Sequence, residues 1–362
     1  MGLTPKITHF QFYTILFLSR VFAMVTYVAS FRVQLSSADE VIMSLIMGSF
    51  LLLTAIPTAI FIKKDNRSSL ITRASCISPV FSKILCVIFF IQSLYFGIIT
   101  SVRFGIFTGS VMFPDINITF FIFVMLAASS YIAYKGIESL GRSAVIILIP
   151  VFIAMVFVFA TQSKQFDLLN FTAPFADDTG KMLSSGLYSC ARTGELAFVT
   201  LLTPYVNNQK PKHLYRWLLA IIATIFVTEI MITGVLGNFA GTQLFSMYTL
   251  SVLAKFGFIE RLDALITCLW LLCAAVKTAI TIFLCETLLS SFFGKSKRVL
   301  YISISAAVIF LGTIPLSGSL VTLADIIRSP LTIIFYLASV FVIPTVIMIG
   351  EKIKGRANHE KS

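Results

Sequence analysis

The chain contains ten apolar stretches, and each is about as long as a helix that crosses a lipid bilayer, which takes roughly 20 residues. They lie at approximately 10–30, 40–62, 80–108, 116–134, 141–160, 183–205, 216–240, 262–289, 298–314 and 331–350. The connections are too short for a further folded unit, so we expect a single transmembrane domain over residues 1–362. A mean hydropathy of +0.94 excludes an ordinary soluble protein. The sequence therefore predicts an all-α polytopic membrane protein with ten transmembrane helices.

The basic residues between these stretches predict the orientation of the chain. With the N-terminus in the cytoplasm, 18 Lys and Arg side chains fall on the inner side and six on the outer side. Lys and Arg are enriched in cytoplasmic loops, so we expect both termini to be cytoplasmic. The net charge of +12 does not indicate nucleic-acid binding, because no aromatic–basic module accompanies it.

The sixth stretch carries two charged residues near its middle. Arg192, Thr193, Gly194 and Glu195 interrupt the apolar run 183–205. Each charge at such a depth costs about 2.5–3.5 kcal/mol on insertion scales, so a plain membrane anchor is not expected to keep both. Gly194 weakens the helix and could release backbone groups toward a ligand. We expect a broken helix at the centre of a binding site; the alternative is that Arg192 and Glu195 only neutralise each other.

The first stretch has a similar interruption at Ser19 and Arg20, with Ala23 and Tyr27 further along the same run. The sixth helix enters the membrane in the opposite sense to the first, so each would begin a five-helix half. This arrangement is the inverted repeat of many secondary transporters, which place the substrate between facing broken helices. We therefore predict a 5+5 inverted repeat, about 10–160 and 183–350, with broken helices 1 and 6.

Other polar side chains also lie deep in apolar stretches. They are Tyr95, Glu229, Cys273 and Lys277, and the last two share one helix face. Arg103 is closer to a membrane surface, and we expect it to extend to the interface. The deep cations outnumber the deep anions, so either Lys277 is neutral or a ligand carboxylate or a partner chain supplies negative charge.

Three motifs occur in the order known from one protein family. They are Tyr134-Lys-Gly-Ile-Glu-Ser-Leu-Gly-Arg142, then Gly194-Glu195 followed by Leu201-Leu-Thr-Pro-Tyr205, and Phe258-Ile-Glu-Arg-Leu-Asp-Ala-Leu265 leading into Trp270. The chain resembles the spore germination permease family, the B subunits of nutrient germinant receptors, over nearly its whole length.

The resemblance implies a ten-helix member of the amino acid–polyamine–organocation superfamily in the inner membrane of a spore. It also implies two partners, a larger A subunit and a C-subunit lipoprotein, and a small nutrient ligand, commonly an amino acid, whose binding triggers germination. A second reading is an ion-coupled transporter of amino acids or similar solutes in the bacterial cell membrane, in which Glu195, Glu229 or Lys277 titrates. A third is a structural or channel-like subunit without a working site. No nucleophile–base pair or metal-ligand spacing points to an enzyme, and no cofactor is expected.

Residues of the matching motifs receive roles from the resemblance. We expect Glu138 and Arg142, beside Gly136, to brace a short cytoplasmic helix or to contact a partner. Glu260, Arg261 and Asp263 would hold the start of the eighth helix. Related permeases commonly have small residues where this chain has Arg20. Arg20 therefore either binds an anionic group or fills and blocks the site.

Overall fold

The computed structural model describes residues 7–26, 35–254, 263–294 and 297–359. The helices are α1 His9–Val25, α2 Ser37–Thr54, α3 Ile56–Lys64, α4 Leu70–Ile77, α5 Pro79–Phe107, α6 Ile118–Lys135, α7 Ile137–Gln162, α8 Thr179–Ala191, α9 Leu196–Leu202, α10 Pro211–Leu236, α11 Ser246–Val252, α12 Asp263–Phe293, α13 Arg298–Thr313, α14 Leu320–Arg328, α15 Pro330–Leu337 and α16 Ile343–His359. Two short strands, β1 Ile7–Thr8 and β2 Val206–Asn207, complete the fold. Proline begins α5, α10 and α15, where its missing N–H has no helical partner to lose.

Eight helical segments in the described part of the chain are long and apolar enough to cross a membrane. They run over Ser37–Lys64, Pro79–Met112, Ile118–Lys135, Ile137–Gln165, Pro211–Thr242, Ile266–Phe293, Arg298–Leu316 and Pro330–Lys354. Each corresponds to one predicted apolar stretch. The first and sixth stretches form shorter helices. The protein is an integral membrane protein.

The sixth stretch is broken where the sequence predicts it. Helix α8 ends at Ala191 and α9 begins at Leu196, so residues 192–195 form the connection. The backbone N–H of Thr193 donates to Cys190 O at 2.8 Å, and that of Ala197 donates to Gly194 O at 3.1 Å. These hydrogen bonds join residues three positions apart, as in a 3₁₀-helix, and they replace the four-residue spacing of the α-helix at the break.

The first stretch is not broken at Ser19 and Arg20, and this part of the prediction is wrong. Helix α1 is continuous from His9 to Val25, and a capping box between Thr8 and Gln11 closes its N-terminus. The two polar side chains bond to the α8–α9 connection instead of unwinding their own helix. Residues 27–34, which follow, lie outside the described part of the chain.

Helix α12 lies at the centre of the bundle. Its apolar window is 72% buried, compared with 22% for that of α7, which faces outward. It packs against α1, α5, α6, α7 and α13, while α2 packs against α8 and α10. The helix therefore brings Lys277 into the interior, beside both α1 and the break in the sixth stretch.

Strands β1 and β2 form a two-stranded parallel sheet with Ile7 opposite Val206 and Thr8 opposite Asn207. The first strand leads directly into α1, and the second follows α9 after one turn of 3₁₀-helix. The N-terminal end of α1 and the C-terminal end of the broken helix are thus joined at the same end of the bundle.

The first family motif lies where α6 meets α7. Gly136 adopts φ +96°, which L side chains rarely take, and it ends one helix and precedes the next. Arg142 pairs with Glu138 at 2.5 Å, but both belong to the first turns of α7. The expected separate cytoplasmic helix is therefore absent from this described region. Of the third motif, Asp263 begins α12 and accepts a hydrogen bond from Tyr248 at 3.3 Å, whereas Glu260 and Arg261 lie outside the described residues.

An ion cluster ties α4 to α16 at one end of the bundle. Arg73 Nε and Nη2 donate to the two carboxylate oxygens of Glu351 at 2.5 and 2.6 Å. Lys64 Nζ donates to the same carboxylate at 2.7 Å, and Arg73 Nη1 donates to Phe61 O. Each Glu351 oxygen thus has a partner. No sequence motif predicted this cluster.

Candidate functional site

A buried ion pair joins the helix break to the bundle centre. Lys277 Nζ on α12 lies 2.5 Å from Glu195 Oε1, and Ser19 Oγ on α1 donates to the same oxygen at 3.2 Å. Lys277 Nζ also lies 3.4 Å from Ser19 O. Three elements far apart in the chain therefore meet on one carboxylate oxygen.

Two arginines make hydrogen bonds at the break. Arg20 Nη1 donates to Arg192 O at 3.3 Å, and Arg192 Nη2 donates to Ser189 Oγ at 2.6 Å. The Glu195 carboxylate is paired with Lys277, so the sequence-level alternative, in which Arg192 and Glu195 only neutralise each other, does not describe the site. Arg20 closes one end of the break by capping a backbone carbonyl that the helix has released.

The uncharged hydroxyl and the carboxylate of the break retain polar atoms without a hydrogen-bond partner within the described part of the chain. Glu195 Oε2 and Thr193 Oγ1 are both buried and unsatisfied. A buried carboxylate oxygen without a donor costs free energy, and most native structures avoid this arrangement. The break therefore retains hydrogen-bonding capacity that the protein itself does not use.

Gly194 is required by the close packing of Phe96 on α5. A Cβ atom built at position 194 overlaps the Phe96 ring. Phe96 in turn contacts Tyr95 and Phe198 edge to face, with ring centroids 5.7 and 6.1 Å apart. The glycine thus lets an aromatic side chain lie directly over the break, in addition to the backbone role expected from the sequence.

Two small cavities adjoin the break and share Ala23, Arg103 and Arg192 in their walls. The first has a volume of about 50 Å³, and Arg20 and Glu229 also line it. The second has a volume of about 40 Å³. Its wall includes Phe22, Tyr95, Phe96, Thr100, Lys277 and Thr332. Since one water molecule needs roughly 10–15 Å³ of cavity volume, each cavity has room for only a few waters.

Arg103 is a site residue that the sequence reading assigned wrongly. Its side chain is only 8% exposed and lies in the wall between the two cavities, so it does not extend to the membrane surface. The sequence did contain a signal, because Arg103 precedes the end of α5 by four residues and continues an apolar helix. Snorkelling accounts for an Arg at such a position equally well, so the sequence alone does not decide between the two.

The structure separates the other predicted residues into two groups. Arg20, Ala23, Tyr95, Arg192, Glu229 and Lys277 line the cavities. Ser19, Thr193, Glu195 and Cys273 are buried, and they are not in either wall. Tyr27 lies outside the described residues. Among the described residues, no group of three or more His, Cys, Asp or Glu side chains could hold a metal ion.

The fold is similar to that of a solved structure, MhsT in complex with L-phenylalanine, with a TM-score of 0.60 and 13% sequence identity. The similarity covers 96% of this chain and 99% of the other. At this identity it establishes the architecture of the bundle and no residue's role.

Sequence comparison leads to a family. A protein of Bacillus subtilis (strain 168), provisionally described as the spore germination protein YfkT, is 27% identical over 231 residues. This alignment covers 61% of the present chain and 62% of that relative, so the chain spans about three fifths of its length. The family model described as spore germination protein matches residues 6–319. Because this match covers most of the chain, the protein belongs to the spore germination protein family.

Proposed function

We propose that this protein is the nutrient-sensing membrane subunit of a spore germinant receptor, and that it binds a small solute at the α8–α9 break. The observation that carries the proposal is the incomplete coordination of Glu195. One of its oxygens is held by Lys277 and Ser19, and the other has no donor although it is buried. In transporter-like folds, a broken helix with unused polar groups near the midplane is where solutes bind.

An amino acid fits the polar groups around the break. Its carboxylate would bind Arg192 or Arg103, which lie between the two cavities, through charge-assisted hydrogen bonds. Its ammonium group would have to reach the buried second oxygen of Glu195, which lies in neither cavity wall. Membership of the spore germination protein family and the solved complex of a similar fold with L-phenylalanine support this class of ligand.

The cavities are too small for most amino acids as they stand. A ligand larger than a few water molecules has to join the two spaces, and the Arg103 and Arg192 side chains between them are the groups that must move. We propose that this displacement is the sensing event. Because Arg103 belongs to α5 and Arg192 to the α8–α9 connection, moving the two side chains would change the position of α5 relative to that connection.

The assembly and location follow from the family and remain proposals. The protein would reside in the spore inner membrane with both termini in the cytoplasm. Its partners would be an A subunit with cytoplasmic domains and a C-subunit lipoprotein. The division into inverted repeats at about 10–160 and 183–350, the ten-helix count, and the partner-contact role of the first motif also remain predictions.

The second candidate is an ion-coupled transporter of amino acids or similar small solutes. The observation in its favour is the buried Glu195–Lys277 pair, in which both groups can exchange a proton and Lys277 lies in a cavity wall. Glu229, in the wall of the first cavity, is a third ionisable group near the break.

Thermal unfolding of the purified protein against a panel of amino acids and anions tests the proposal. A ligand that binds only the folded state raises the melting temperature by mass action. We expect a stabilising amino acid whose effect is lost in Gly194→Trp and reduced in Arg20→Ala. Arg142→Gln is the control, because that side chain is exposed and lines neither cavity at the break.

Uptake of the stabilising amino acid into proteoliposomes then separates the two functions. Binding without uptake supports a sensor, whereas uptake that depends on a proton or sodium gradient supports the transporter. An unchanged binding effect in Gly194→Trp would place the ligand elsewhere and contradict the proposed site.

A further inference from the structure

A second concave site lies on the membrane-facing side of the bundle, between α1, α7 and α10. Its volume is about 500 Å³, roughly ten times that of the larger cavity at the break. The side walls are apolar and open outward. Phe10, Ile149, Phe152 and Ile153 line it, and each is more than half exposed. Along α1 the groove extends from His9 to Phe17, which is about 12 Å at 1.5 Å per residue.

One end of the groove is polar. The His9 and His213 rings stack with their centroids 3.8 Å apart and an interplanar angle of 8°. Both residues lie in the first turns of their helices, so this end of the groove is at the membrane surface. Arg216, one turn further along α10, is exposed and forms part of the rim. Three nitrogen-bearing side chains thus surround one end of an otherwise apolar groove.

Two of the residues that line the groove carry a buried polar atom without a hydrogen-bond partner in the described structure. Trp217 Nε1 and His213 Nδ1 make no hydrogen bond, and their residues are only 4% and 8% exposed. They are four residues apart on α10, so the indole N–H lies about 6 Å deeper than the imidazole. Leaving an indole donor unsatisfied is costly, and buried Trp normally finds an acceptor. The groove wall therefore contains unsatisfied polar groups at two depths, above an apolar floor.

We propose that this groove binds one anionic phospholipid. The phosphate lies against Arg216 and the histidine pair, a glycerol ester carbonyl accepts from Trp217 Nε1, and an acyl chain extends along Phe17 and Phe152. This order of groups matches the order in the lipid itself, which has charge at the surface, ester oxygens just below, and hydrocarbon deeper. The site is separate from the one at the helix break, and the inference does not depend on the proposed nutrient ligand.

The two tryptophans of the chain allow a direct test. In a Trp270→Phe background, the only indole left is Trp217. Brominated phospholipids quench it when an acyl chain enters the groove. We expect brominated phosphatidylglycerol to quench at a lower mole fraction than brominated phosphatidylcholine. Arg216→Gln should reduce this preference by about fivefold, the effect of one cation at a charged membrane surface. Arg142→Gln, an exposed arginine on α7 outside the groove, should leave it unchanged.

Wild-type protein provides a second measurement, because Trp270 packs in the core and its replacement could prevent folding. Native mass spectrometry should show one tightly retained phosphatidylglycerol in the wild type and in Arg142→Gln, and loss of that lipid in Arg216→Gln. Equal quenching by both lipids and no retained molecule would mean an ordinary lipid shell, and would overturn the proposal. Absence of quenching by either lipid would do the same, since the groove would then be closed to lipid or occupied by a protein partner.

Discussion

Two carboxylates of this protein each pair with a buried cation, but only one of them has a donor for both of its oxygens. Glu351 uses both oxygens, which accept bonds from Arg73 and Lys64 and connect α4 with α16. Glu195 uses one oxygen for Lys277 and Ser19, and its second oxygen is buried without a donor. A fully hydrogen-bonded cluster stabilises the contact between two helices. In an incomplete cluster, the unpaired buried oxygen costs free energy, and a ligand that donates a hydrogen bond to it removes that cost. The presence or absence of a donor for each oxygen, and not the charge of the carboxylate, therefore distinguishes a structural contact from a candidate binding site.

Lys277→Met should have the largest effect, because it leaves Glu195 charged and buried without its cation. Breaking a buried pair by removing one partner costs about 3–5 kcal/mol. Denaturant titration in mixed micelles should show a loss of that size in the free energy of unfolding. The double variant Lys277→Met with Glu195→Gln should recover most of it. If the double variant is no more stable than the single one, the pair does not hold the break to α12.

Gly194→Ala should be the next most disruptive change. Its Cβ overlaps the Phe96 ring, and overpacking of this kind costs about 3 kcal/mol at the upper end of the usual range. Phe96→Leu in the same chain should restore part of the melting temperature, because the smaller side chain leaves room at position 194. A fully stable Gly194→Ala variant would show that the break adjusts freely and is not fixed by the aromatic side chain above it.

Glu351→Gln tests the complete cluster. It weakens the bonds to Arg73 and Lys64, and we expect a loss of about 1.5 kcal/mol, the lower end for hydrogen bonds to charged groups, since Glu351 is partly exposed. The amino-acid-dependent rise in melting temperature should remain the same as in the wild type. Loss of that rise would mean that the cluster takes part in sensing, and the distinction between the two carboxylates would fail.

Arg142→Gln should have the smallest effect. The Glu138–Arg142 pair has a short contact of 2.5 Å, but both side chains are more than half exposed. Exposed pairs at this helical spacing contribute about 0.3–0.5 kcal/mol, and high salt reduces that further. The stability of the isolated protein should therefore be almost unchanged. A clear loss of A-subunit co-purification in this variant would support the proposed partner-contact role of the motif.

Local sequence was sufficient to predict eight of the membrane-spanning segments and the break at residues 192–195. Apolar run length defines a membrane helix, and two charges beside a glycine in the sixth run are hard to accommodate in an intact one. The same reasoning failed at Ser19 and Arg20. Their partners are 176 and 172 residues away in the sequence, and those partners accept a hydrogen bond from each side chain while α1 stays helical.

The partners of charged residues were the least predictable feature for the same reason. Glu195 has Arg192 three positions away, yet it pairs with Lys277 on another helix. Arg73 and Glu351 lie 278 positions apart, and neither carries a local sign of the contact. Arg103 could equally be a surface residue until α5 is packed against its neighbours. Packing between helices selects these pairs, and a single sequence does not record it.

The short parallel sheet between Ile7–Thr8 and Val206–Asn207 has a mechanical consequence. It fastens the entry to α1 to the exit from α9, while Ser19 of α1 donates a hydrogen bond to Glu195, the residue just before α9. The two segments are therefore connected twice, once at the membrane surface and once in the interior. A tilt imposed on one is transmitted to the other. An opening between these two segments at that face would have to break both the short sheet and the Ser19–Glu195 hydrogen bond.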